Sequence, residues 1–100
     1  IHTNTYHGIE LIERLQHSLK ESEAIITDDL ASTPTSEQTM YRNNIRAIKE
    51  VLPLIQPNTR YTSQASLCGT RQRSWLVINK HLALEEHSAT DVVTYVIFRR

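Results

Sequence analysis

Cysteine is all but absent from this chain. Cys68 stands alone, so no internal disulfide can form, and a reducing cytoplasm is the expected setting. The only glycines, Gly8 and Gly69, are too few for a phosphate-cradling loop or a dinucleotide fingerprint. No charged-then-apolar leader opens the chain. Its longest apolar runs, Trp75–Ile78 and Val92–Phe98, fall far short of the roughly 20 residues a membrane span needs. No membrane association is therefore expected. The five histidines form no His-x-x-x-His pair, and there is no Cys-x-x-Cys. Neither a metal nor a cofactor is expected. Cys68 and His81 lack an orienting third group and an oxyanion turn, so no catalytic residues are assigned and no enzymatic activity is expected.

Acid is also missing from one long stretch. Formal net charge is zero, yet residues 1–50 carry five basic and eight acidic side chains, and residues 51–100 carry six and three. No acidic residue lies between Glu50 and Glu85, whereas Arg60, Arg71, Arg73 and Lys80 all do. Together with Gln72, these four form the candidate surface for a nucleic acid or another anion.

What is present organises into helices first and strands second. One hundred residues make a single domain, read as a helical hairpin over 6–55 and a β-meander over 60–98. After a frayed lead-in, Ile12, Leu15, Leu19 and Ile26 keep helical spacing, with Ile9 and Leu11 widening the stripe. On the outer face Glu10 and Arg14 form an i,i+4 pair, with Glu13 beside His17. Asp28 and Asp29 oppose the helix dipole and predict a stop near Thr27–Leu30. A loop through Pro34 leads to Ser36 as the N-cap of a second helix. That helix has a seam of Tyr41, Ile45, Ile48, Leu52 and Ile55, and Pro53 ends it near Val51 or Leu52.

From Arg60 onward the period changes to two. Tyr61, Ser63, Ala65 and Leu67 alternate with polar residues, as an edge strand does. A strand from Trp75 to Leu84 places Leu76, Ile78, Leu82 and Leu84 on one face, with Trp75 and Val77 on the other. The β-branched run Val92–Phe98 closes a three-stranded meander and is apolar on both faces, so cover on both is expected. Trp75 and Tyr95 are read as core aromatics sharing one face. The fold class is α+β: an antiparallel two-helix hairpin followed by a small antiparallel meander.

An all-α arrangement is the alternative. Ala65 and Ile78 stand at the small and the buried positions of a helix-turn-helix centred on Gly69. Leu67-Cys68-Gly69-Thr70-Arg71-Gln72-Arg73 resembles the turn and recognition-helix start of many phage-type repressors. That resemblance implies a transcriptional regulator reading DNA with residues 70–80, where Arg71, Gln72 and Arg73 face base edges. Duplex binding would then weaken with salt, at a log–log slope near about −0.9 per phosphate contact. The leading expectation is a small non-catalytic regulatory or adaptor protein acting by protein–protein binding. So small a chain leaves apolar surface that a second copy can cover, so a homodimer is expected.

Overall fold

A computed structural model of the protein describes the backbone of residues 3–68, 71–88 and 91–100, and the side chains of 5–64, 73–88 and 91–100. The elements run β1 (Thr3–His7), α1 (Gly8–Asp28), α2 (Thr35–Val51), β2 (Arg60–Cys68), β3 (Arg71–Val77), β4 (Leu82–His87) and β5 (Thr94–Arg99). The strands form one antiparallel sheet in the order β1-β2-β3-β4-β5. Both helices pack on one of its faces, so the architecture is α+β with a helical hairpin and a meander. None of the described helices is long and apolar enough to cross a membrane.

The sheet is larger than the three strands expected. The lead-in is not frayed: Thr3–His7 pairs with β2, with Tyr6 opposite Tyr61 and His7 opposite Arg60. The strand read as continuous from Trp75 to Leu84 is broken at Asn79–His81. There the Asn79 Oδ1 accepts from the amides of His81 at 2.7 Å and Leu82 at 2.9 Å. A side chain that satisfies amides two and three residues on turns the chain locally, and alternation alone does not reveal it. The helix-turn-helix alternative does not form. Its residues lie in β2 and β3, paired from Ser63 opposite Leu76 to Cys68 opposite Arg71. Alternation over Tyr61–Leu67 and the Trp75 run favour a pleated ladder over a helix at this point.

Helix bounds agree closely with the sequence, but the buried faces are rotated. On α1 the buried residues are Leu11, Leu15, Ser18 and Ser22, while Ile9 is 51% exposed. On α2 they are Tyr41, Asn44, Ala47, Ile48 and Val51, with Ile45 only half-buried. The α2 N-cap is Pro34 and makes no side-chain cap bond, in place of the expected Ser36. The core joins Leu11, Leu15, Ile48, Val51 and Ile55 to Tyr61, Leu76, Ile78, Leu82, Leu84 and Tyr95. All four residues assigned to the inner face of the Trp75–Leu84 stretch are in it.

A polar knot crosses this core. Asn44 is fully buried, and its Nδ2 donates to the Ser18 hydroxyl at 3.0 Å and the Ser22 hydroxyl at 2.7 Å. Its Oδ1 accepts a hydrogen bond from the backbone N–H of Tyr95 at 2.8 Å, and the Ser18 hydroxyl donates in turn to the carbonyl of Val93. One amide thereby ties α1, α2 and the entry to β5. Both amide protons are used, which fixes its orientation.

Gly8 sits where β1 turns into α1. Its amide donates to the carbonyl of Thr59 at 2.8 Å, and a Cβ there would lie 2.0 Å from the backbone oxygen of Gln56. Helix propensity alone gives Ala an advantage of about 1 kcal/mol over Gly at this position. The close approach reverses that sign. Gly8→Ala is expected to destabilise by roughly 1–3 kcal/mol, as overpacking does, and a urea midpoint above that of the native chain would refute the contact.

For the knot, Asn44→Ala is expected to cost about 2–4 kcal/mol, from a cavity plus orphaned hydroxyl and amide partners. Asn44→Leu fills the space without the hydrogen bonds and separates the two contributions. If Leu restores full stability in denaturant titration, the knot contributes volume rather than hydrogen bonding.

Candidate functional site

Among the described side chains, Arg60 and Arg73 stand far apart. Arg60 opens β2 and is exposed, and Lys80 is exposed in the β3–β4 turn. The backbones of Arg71 and Gln72 begin β3, but their side chains lie outside the described residues, as do Gly69 and Thr70. Arg73 pairs in register with Ser66, six positions along β2 from Arg60, which at about 3.3 Å per residue is roughly 20 Å. Its Nε lies 3.6 Å from Glu85 Oε1, which is also 3.5 Å from His87 Nε2. Arg73 therefore meets an acid from across the sheet. The acid-free stretch of sequence is not acid-free in space, because antiparallel pairing returns Glu85 to the side of Trp75.

Two other places combine chemistry with access. The first is a cleft of about 210 Å³ between α1 and the entry to β5, lined by Arg14, His17, Ser18, Glu21, Asp91, Val93 and Tyr95. Neither helical pair expected here forms as such. Arg14 reaches Glu86 on β4 at 3.2 Å, and its guanidinium lies 4.9 Å from the centre of the Tyr6 ring. His17 meets Glu21 at 2.7 Å. Glu85 and Glu86 lie within β4.

Protonation in the cleft follows from burial. Burial first, then the nearby Glu86 carboxylate, push the Tyr95 hydroxyl up to about 12, although Arg14 pulls the other way through its charge and a hydrogen bond. Burial alone disfavours the charged guanidinium of Arg14, but Tyr95, Tyr6 and Glu86 outweigh it and the pKa is raised. Tyr95 thus stays protonated and Arg14 charged at neutral pH, the one a hydrogen-bonding hydroxyl, the other a fixed cation against Glu86. Neither is poised to exchange a proton near neutrality, as a general acid or base must be. Arg14, Tyr6, Tyr95 and Glu86 bolt the helix layer to the sheet.

The second place is the outer face of the sheet, the side turned away from the helices. Trp75 and Tyr95 do not share a face: through Glu85, Trp75 stands in register with Val96, so Tyr95, one residue away, turns to the opposite side and is buried at 3% exposure. Trp75 and Phe98 instead reach across β4 from either side. Their rings meet edge to face, with centroids 4.7 Å apart and planes at 64°, a favoured geometry. They roof Ala83, which stands opposite both Val77 and Phe98 and is 3% exposed. The last strand is covered on both faces, but more fully on the inner one. Tyr95 is buried and Ile97 packs against the core, but Val96 and Phe98 remain 46% and 45% exposed.

Among the described residues, no group of three or more His, Cys, Asp or Glu side chains is placed to hold a metal ion. The sequence missed Arg14 and Glu86 as partners because each had a nearer explanation, a helical neighbour for Arg14 and solvent for Glu86. The two-faced apolarity of the last strand was the signal for Val96 and Phe98.

The raised Tyr95 pKa carries a sign. A hydroxyl that ionises later in the folded chain than in the unfolded one stabilises fully below pH 10, and that contribution disappears as pH rises toward 12. Two units correspond to roughly 2–3 kcal/mol. Stability measured by denaturant between pH 9 and about 12 should fall more steeply for the native chain than for Tyr95→Phe; parallel curves would mean that Tyr95 titrates normally.

In comparison with known proteins, the chain matches no protein-family model, no curated protein and no solved structure.

Proposed function

We propose that this chain is a small non-catalytic regulatory or adaptor protein that acts by binding protein and works as a homodimer in a reducing cytoplasm. The observation that carries the reading is the outer face of β3, β4 and β5. There an aromatic pair, Trp75 and Phe98, stands beside exposed Val96 on a sheet whose other face is already filled by two helices. Apolar surface grouped in this way is characteristic of interaction sites, whereas scattered apolar residues are ordinary. Trp and other aromatics are also the residues that anchor interfaces most strongly.

The helical seam does not compete for this role. Leu11, Leu15, Ile48 and Val51 meet each other and the sheet within the core, so the hairpin spends its apolar stripe internally. Support for a non-catalytic role comes from the cleft, where Arg14 is engaged with Glu86 and His17 with Glu21.

Sedimentation equilibrium from low to high micromolar concentration checks the homodimer directly. A reversible doubling of mass is expected as concentration rises. Monomer throughout that range would remove the homodimer from the reading.

A further inference from the structure

We infer that two copies of this chain associate face to face through the outer surfaces of β3, β4 and β5, with Trp75 and Phe98 at the centre and both helix layers outermost. This rests on the homodimer reading above and deepens it by assigning the surface and its occupant.

The fold leaves few places where a second copy can gain apolar contact. One face of the sheet is sealed by α1 and α2. The β5 edge is not a free template either. The Tyr95 amide, on the side away from β4, already donates to Asn44, and the Arg99 side chain reaches over to Glu50 of α2 at 3.1 Å. The outer face divides in two. Toward β1 it carries Thr5, Thr62 and Gln64, all exposed and polar. Toward β5 it carries Trp75, Val77, Val96 and Phe98 around the covered Ala83. The apolar half is the part that gains from leaving water.

Charge favours a copy of the same chain over a partner of one sign. The rim of the apolar half bears Arg73 and Glu85 together, 3.6 Å apart, with His87 beside them. A strongly acidic or basic partner would meet one of these with like charge. A second copy brings the same mixed pair, and two chains of zero formal charge do not repel each other at long range. Sheets packing through inner faces lie about 10 Å apart with strands within roughly 30° of alignment, a spacing that interdigitated side chains fill.

Size sets the strength. Three strands about 4.8 Å apart and five residues long at about 3.3 Å each make an apolar block of roughly 14 by 17 Å. That is well below the roughly 800 Å² per partner of a standard stable interface. The dimer is therefore a weak, reversible one.

The chain contains one tryptophan, and it lies in the assigned surface, so the native protein reports on itself. Trp75 emission and its acrylamide quenching are followed from low to high micromolar concentration, alongside sedimentation of the same samples. Emission moving to shorter wavelength and quenching falling, both in step with the rise in mass, is the expected result. Val96→Lys should weaken association by about tenfold or more while leaving the thermal midpoint close to native, because Val96 is 46% exposed. Phe98→Glu is the second variant, judged on mass alone because Phe98 touches Trp75. Mass that doubles while Trp75 emission stays constant would place the dimer contact elsewhere, leaving the homodimer reading intact and overturning this surface. Monomer at every concentration would overturn both. A folded Val96→Lys chain that dimerises as tightly as the native protein would also overturn the assignment.

Discussion

The Asn44 amide is the constraint on which the layered arrangement depends. Hydrophobic burial pulls two helices onto a sheet without dictating how they are rotated, since an apolar stripe of several residues permits many rotations. Asn44 removes that freedom. Its two protons must find the hydroxyls of Ser18 and Ser22, and its oxygen must find the amide of Tyr95. A half-made network inside a core is costlier than none, so alternative rotations of α1 on α2 are penalised. The rotation it selects turns Ile9 outward and brings Ser18 and Ser22 inward, against what hydropathy alone favours.

Around that knot the sheet has unequal faces. The inner one takes Leu76, Leu82, Leu84 and Tyr95 into the core, and Arg14 clamps its far end through Glu86. The outer one is a small aromatic roof over Ala83. None of the described elements covers that roof, and the proposed use of the outer face as a contact surface follows from its exposure.

Much of the fold was legible because periodicity carries it. Helical spacing located both helices, Pro53 ended the second, and alternation gave the inner face of the Leu76–Leu84 stretch. The misses have identifiable physical causes. Two of them depended on a polar side chain bonding to backbone or to a distant partner. Asn79 turns the chain at the β3–β4 junction, and Asn44 with the two serines sets helix rotation. Strand β1, polar and short, earned no local signal and exists because β2 offers it a ladder. Arg73 illustrates a related effect, since linear charge spacing ignores Glu85, the carboxylate that a hairpin brings back beside it. Val96 and Phe98 were visible as an apolar surplus, but only the strand order showed which half of that surplus stays open.

The pairing of β1 also bears on how the chain reaches its native state. Every other strand contact joins neighbours in sequence, the kind that form early because little loop entropy is lost. Thr5 must wait for Thr62, with two whole helices between them. Closing that long loop is profitable only once α1 and α2 have packed and Gly8 can slip beneath Gln56. The meander β2–β5 can therefore pair before β1 does, and β1 joins the sheet late.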